Sequence, residues 1–371
     1  MKLDGNQLSF LGLLRAGLWD TVNPNLRIDG STDWEKVYQL AGEQSVVGLV
    51  TAGIERFKND NPHFSIQQEA LLQMIGEVQM IEQTNMAMNL FIEKIVGAMR
   101  EADIYTLLLK GQGIAQCYER PLWRSPGDVD FLMSIDNYKK ASRLLAPLSS
   151  CTIPERLYSK EVGLTIDSWL VEIHGTQRTG LSYRVDKVVD DVQKDVFYGG
   201  NVRSWINGKT TVFLPSPDND VFFVFTHYIK HFYKEGMNLR QICDWCRLLW
   251  TYRDSLNPEL LEMRIRKAGL MGEWKTFAAL AVEYLGMPVD AMPMYDPAKK
   301  WSKKADKLLA FILRGGEWRK YHDTLYVAQF FPVSTLRFLP GILFNMNLLK
   351  IKERMLSGTR ININNENHND N

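Results

Sequence analysis

The chain has 371 residues, with 44 Lys and Arg against 43 Asp and Glu and a formal net charge of +1. That balance argues against a protein that grips nucleic acid through a broad positive field, so no DNA partner is expected, while a local patch and a tRNA end stay open. With 45% hydrophobic and 23% charged residues, the composition excludes disorder as the default and suits roughly two domains with real cores.

Residues 1–102 read as a helical region. The run Leu8-Ser9-Phe10-Leu11-Gly12-Leu13-Leu14 is cut by Arg15 and lacks a small-residue cleavage site, which predicts an amphipathic helix and not a signal peptide. Asp33 caps a second helix, and Leu71, Met74, Ile75, Val78 and Ile81 at three-and-four spacing predict a long helix from about Ile66 to Arg100. Its methionines, Met74, Met80, Met86, Met88 and Met99, are expected to fill the core.

The pattern changes at Asp103. Residues 104–109 predict a buried strand that turns into a short helix at Lys110-Gly111-Gln112-Gly113. A breaker-rich loop, 119–127, leads to a second strand, Asp128–Met133. Asp136 is expected to cap a helix to about Leu145, and strands at 161–166 and 169–174 predict a hairpin around Asp167-Ser168. This block, 103–214, is mixed α and β. Residues 215–356 are helical again, near 218–233, 238–252, 258–269, 271–285 and in patches beyond 301. The Asn-rich tail, 357–371, is expected to be disordered. No stretch approaches the roughly 18 uninterrupted apolar residues of a membrane span. The four cysteines, at 117, 151, 243 and 246, fit a reducing compartment, and a cytoplasmic protein is expected.

In Gly127-Asp128-Val129-Asp130-Phe131 the two carboxylates share one strand face, because side chains alternate with period two. Side by side they repel unless something positive lies between them, and a divalent metal is the usual answer. The bland alternative is a capped turn with both acids solvated. Glu172 is a further acid in an apolar strand, and it completes a three-carboxylate cluster if that strand lies beside the first. The glycines after the 104–109 strand let the backbone approach a phosphate closely. Together these parts suit nucleotidyl transfer, with Mg²⁺ or Mn²⁺ on the acids and an NTP as substrate. Lys110 and Arg124 read as phosphate contacts or as counter-charges to the acids. The planar fork of Arg124 gives it the better claim on phosphate.

Leu109-Lys110-Gly111, Arg124 to Asp130, Val171-Glu172-Ile173-His174 and the His227 to Asp244 stretch resemble a bacterial family of uncharacterised nucleotidyltransferases within the DNA polymerase β-like superfamily. The resemblance extends to Asp33-Trp34 and to Arg337-Phe338-Leu339-Pro340. It implies an α+β fold in which a mixed sheet flanked by helices lies between an N-terminal helical region and a C-terminal helical domain. It also implies Asp128, Asp130 and Glu172 as catalytic metal ligands, and a triphosphate seat at Lys110, Gly111, Gln112 and Arg124. The acceptor is expected to be a small molecule or a protein. Position 112 is Gln where the superfamily carries Gly or Ser, and this departure supports the alternative of a non-catalytic nucleotide-binding or interaction protein.

Gly111-x-Gly113-x-x-Gln116 nearly matches a dinucleotide fingerprint, but the third glycine is replaced and no crossover helix fits before the next strand. His227-x-x-x-His231 and Cys243-x-x-Cys246 carry zinc-ligand types, yet both lie on helices whose apolar faces already define a core. The preferred reading gives His227, His231, Arg240 and Asp244, with His174, a role in acceptor binding at a cleft. The apolar segment from Phe330 to Lys352 is expected to pack on the helical domain or a partner, with an interfacial helix as the lesser alternative.

Overall fold

The computed structural model describes residues 3–20, 26, 28, 31–234, 236–314, 327–341 and 343. The chain opens with α1 (Gly5–Trp19), α2 (Trp34–Glu43), α3 (Val47–Asp60) and α4 (Gln68–Glu101). Asp33 caps α2 by accepting from the Lys36 amide, as its position in the sequence predicts. Glycine lets α1 and α3 approach closely. A Cβ on Gly17 would lie 1.8 Å from the Leu49 carbonyl oxygen, and one on Gly53 would lie 2.0 Å from that of Leu13.

The first half of α4, through Met74, Val78 and Ile81, packs on a core shared with other helices. Its second half, through Met88, Ile92, Ile95 and Met99, covers the sheet. The expectation that all five methionines fill the core is corrected at two of them. Met80 and Met86 are 63% and 53% exposed, because they lie off the buried stripe.

The sheet is built from β1 (Leu107–Leu109), β2 (Val129–Leu132), β3 (Cys151–Arg156), β4 (Glu161–Ile166), β5 (Trp169–His174), β6 (Val202–Asn207) and β7 (Thr210–Pro215). Its order is β3-β4-β5-β2-β1-β7-β6, with β2/β5 and β1/β7 parallel and the other neighbours antiparallel. Helices α5 (Gly111–Ala115), α6 (Ile135–Leu145) and α7 (Tyr183–Tyr198) connect these strands. The first strand starts three residues later than expected, because Asp103 takes a positive φ of 59° and Ile104 closes the end of α4 by bonding to the Met99 carbonyl. Ser134, not Asp136, caps α6. Asp167 and Ser168 form the β4–β5 turn with φ of 48° and 72°.

After the sheet come α8 (Pro217–Lys234), α9 (Leu239–Tyr252), α10 (Pro258–Ala268), α11 (Met271–Leu285) and α12 (Lys299–Ile312), with a further helix at 332–341. These and the N-terminal helices share one apolar core, in which Phe10, Val50, Phe225, Trp245 and Phe277 are buried together. Polar ties reinforce the union. Trp19 donates to the Leu285 carbonyl at 2.6 Å, and Gln44 bridges the Leu239 amide to the Ile312 carbonyl. The fold is therefore α+β, a mixed sheet with helical regions before and after it. Phe330, Phe331 and Phe338 of the apolar C-terminal segment are buried in the helical core, while residues 342 and 344–352 of that segment and the 357–371 tail lie outside the described residues. Among the described residues, no helix is long and apolar enough to cross a membrane.

Candidate active site

Strand register assembles the site. β1 and β2 pair so that Leu109 faces Asp130, which brings Lys110, the next residue, beside that carboxylate. β2 and β5 run parallel with Asp130 opposite Glu172, and β4 places Glu161 opposite His174. Partners across a ladder project to the same face, so the three acids and the histidine converge.

Asp130, Glu172 and His174 each offer a ligand atom within 4.8 Å of the others. Asp130 Oδ1 accepts from His174 Nε2 at 3.0 Å and from Lys110 Nζ at 3.1 Å. Burial opposes ionisation of Asp130, but Lys110 and His174 outweigh it and hold the carboxyl below the usual carboxylate range. Glu172 goes the other way. Burial and the neighbouring Asp130 charge push it up to about 7. Asp128 lies outside that three-residue group but lines the same cavity, and burial together with Asp130 raises its carboxyl.

The cavity, of about 300 Å³, lies between the sheet and helices α8 and α9. Lys110 and Gly111 form its floor. Both residues have positive φ, 51° and 44°, and for Lys110 this is a conformation that costs an L-residue strain of the kind that concentrates at ligand clamps. The helical wall carries His227, Lys230, His231 and Arg240. His227 Nε2 lies 2.8 Å from His231 Nε2, and burial and the nearby Lys110 charge hold His227 well below its ordinary value, as a neutral ring.

Arg124, which the sequence reading ranks first for phosphate, is held elsewhere. Its Nε and Nη2 donate to Asp244 at 2.7 and 2.8 Å, and its Nη1 to the Ser125 carbonyl at 3.2 Å. Tyr118 and Arg240 complete the ring of donors around Asp244. Burial opposes charge on Asp244, yet Arg124 keeps its carboxyl below the usual range. Asp244 is thus the anchor of this wall, while Arg240 keeps a buried Nε without a hydrogen-bond partner among the described residues.

Residues 30–286 match a family described as uncharacterised nucleotidyltransferases. The chain belongs to this family. Comparison with curated proteins and with solved structures gave no match.

Within this family member, Gln112 is not a cavity residue. It is buried and donates to Asn89 Oδ1 at 2.8 Å and to the Asn85 carbonyl at 3.4 Å, tying the glycine turn to α4. The histidine and cysteine pairs do not converge. Among the described residues, the one group of three or more metal-ligating side chains is Asp130, Glu172 and His174. Cys243 and Cys246 are buried and burial pushes both thiols up, which suits packing and not thiolate chemistry.

Three contributors were not singled out in the sequence. Asn85, fully buried on α4, donates to the Leu122 and Arg124 carbonyls and so fixes the breaker-rich loop that leads into β2. Glu161 lines the cavity and is paired with Arg156 at 2.7 Å. Tyr118 orients Asp244. Asn85 carried a signal, a polar residue in the apolar stripe of Ile81 and Met88; the other two depend on strand register and tertiary packing.

Proposed function

We propose that the cavity binds an NTP with Mg²⁺ or Mn²⁺ and transfers its nucleoside-monophosphate group to a hydroxyl on a small molecule or protein. The observation that carries this reading is the register pairing of Asp130 with Glu172 beside the Lys110-Gly111 turn, inside one cavity. The donor set fits the ion. Two carboxylates suit a hard divalent cation, and the imidazole of His174 is more compatible with Mn²⁺ than with Mg²⁺. Asp130, Glu172 and His174 would hold it, with Asp128 available to a second ion or to the incoming complex. A bound cation would neutralise charge on the triphosphate and on the departing pyrophosphate.

The chain's own groups account for the rest. Glu172 would be ionised beside a bound cation, and its carboxylate oxygen turned away from the ion would accept the proton of the acceptor hydroxyl. The acceptor oxygen then bonds to the α-phosphorus as the bond to pyrophosphate breaks. Lys110, the Gly111 backbone and Arg240 seat the phosphates, and His227 and His231 face the acceptor. The non-catalytic alternative drew its support from Gln112, and that side chain is turned toward α4, away from the phosphate seat. A screen with α-labelled NTPs and a cell extract tests the reading. Label should move to an acceptor with wild-type protein and not with Asp130→Asn; equal transfer by both would overturn it.

A further inference from the structure

We propose that Lys110 is a resident counter-cation of the acid cluster. It pairs with Asp130 while no metal is bound and passes to the triphosphate when metal arrives, so that metal and NTP bind with positive coupling. The inference rests on the nucleotidyl-transfer reading of the same cavity and deepens it. Lys110 Nζ and His174 Nε2 already fill Asp130 Oδ1, at 3.1 and 3.0 Å. A divalent cation drawing on that carboxylate would lie within a few ångströms of an ammonium, and like charges so close cannot both remain.

Of the other nearby cations, Arg124 is committed to Asp244 and Arg156 to Glu161, Arg240 makes one contact to Asp244, and Lys230 lines the helical wall; among the described residues the lysine paired with Asp130 is Lys110. Lys110 is held by one carboxylate oxygen and, beyond it, by the neutral His227 ring, whose two nitrogens lie 3.3 and 3.2 Å from Nζ. A lysine on a flexible stem, next to a positive-φ turn and facing an open cavity, can exchange one anion for another without moving the sheet. In the absence of NTP, metal must displace this ammonium, and the acids left to receive it are single carboxylates, Asp128 and the Arg156-paired Glu161, each a weaker seat than a triphosphate. With NTP present the triphosphate receives it, and the two ligands assist each other by the same factor.

The test is Mn²⁺ titration calorimetry on the full chain, alone and with the α,β-methylene analogues of ATP, GTP, CTP and UTP in turn. Wild type should bind Mn²⁺ about tenfold more tightly with its preferred analogue than without. Lys110→Met should bind Mn²⁺ alone several-fold more tightly than wild type, bind the analogue more weakly, and lose most of the coupling. Lys110→Gln repeats the measurement if the Met variant does not fold, and Lys110→Arg should retain the wild-type coupling. Folded Lys110→Met or Lys110→Gln protein that binds Mn²⁺ no more tightly than wild type overturns the inference while leaving the metal site standing. Absence of Mn²⁺ binding, or binding unchanged in Asp130→Asn, overturns the functional reading and this inference together.

Discussion

Asp130 and Glu172 face each other across the parallel β2–β5 ladder, and their ionisation is driven in opposite directions. Asp130 stays a carboxylate because Lys110 and His174 surround it, and Glu172 titrates at about 7 because it is buried beside that fixed charge. The pair therefore provides one fixed carboxylate and one group that can exchange a proton near neutrality.

Metal affinity should follow Glu172. Its raised pKa means that the proton is held below about 7 and released above it, so Mn²⁺ binding should strengthen as pH rises from 6 to 8. Calorimetry across that range checks the sign. Glu172→Gln should flatten the profile and weaken binding, by about tenfold or more for the loss of one charged ligand. Asp130→Asn should weaken it at every pH in the range, because that group is ionised throughout.

Asp244 makes a separate prediction about stability. It is buried, and it is the partner of the equally buried Arg124. Asp244→Asn leaves the buried Arg124 guanidinium without its paired carboxylate charge, which should cost about 3–5 kcal/mol in urea unfolding. The linkage sign follows from the lowered folded-state pKa. The contribution is present above the unfolded value, near 3.9, and is lost as pH falls through the lower folded value. Wild type should therefore keep this interaction at pH 5, and the difference between wild type and Asp244→Asn should shrink only in stronger acid.

Much of this was legible in the sequence where local patterns and tertiary structure agree. The β4–β5 hairpin, α8 to α11 and the strand carrying Asp130 follow from periodicity and caps, although that strand begins at Val129, one residue after Asp128. Strand β3 left no such trace, since it is an exposed edge strand containing Pro154 and has no buried face to impose alternation. Site residues were legible by type and not by commitment. Nothing in Arg124-Ser125-Pro126 shows that the arginine belongs to Asp244, 120 residues later, or that Gln112 turns to Asn89. Glu172 could be paired with Asp130 only once the strands were known to be neighbours.

The helical scaffold gives a paired test with opposite signs. Gly53→Ala drives a methyl into the Leu13 carbonyl at the α1–α3 crossing, and backbone there cannot yield without separating the helices. It should cost about 2–3 kcal/mol. Gly76→Ala, in the middle of α4 with nothing within 4 Å of the added carbon, should stabilise by about 0.5–1 kcal/mol through helix propensity. Thermal or urea melts of the two variants against wild type decide it, and equal effects would contradict the close α1–α3 packing.

Arg240 and Arg124 should separate binding from stability. Both touch Asp244, but Arg124 directs every hydrogen-bonding nitrogen to Asp244 or the Ser125 carbonyl, while the Arg240 side chain makes one contact of 3.3 Å and its buried Nε has no hydrogen-bond partner among the described residues. A partly exposed guanidinium held by a single contact in the cavity wall can turn its other donors to an incoming anion. Arg240→Ala should weaken NTP-analogue binding about tenfold, as expected for a lost charge-assisted hydrogen bond of about 1.5–3 kcal/mol, and change unfolding stability little. Arg124→Ala should do the reverse first, lowering stability by about 3–5 kcal/mol because Asp244 is left buried and under-compensated. Analogue titration and urea melts on both variants give four numbers. If the affinity loss falls on Arg124 and the stability loss on Arg240, the wall is organised in the opposite sense, with Arg124 released to the nucleotide when it binds.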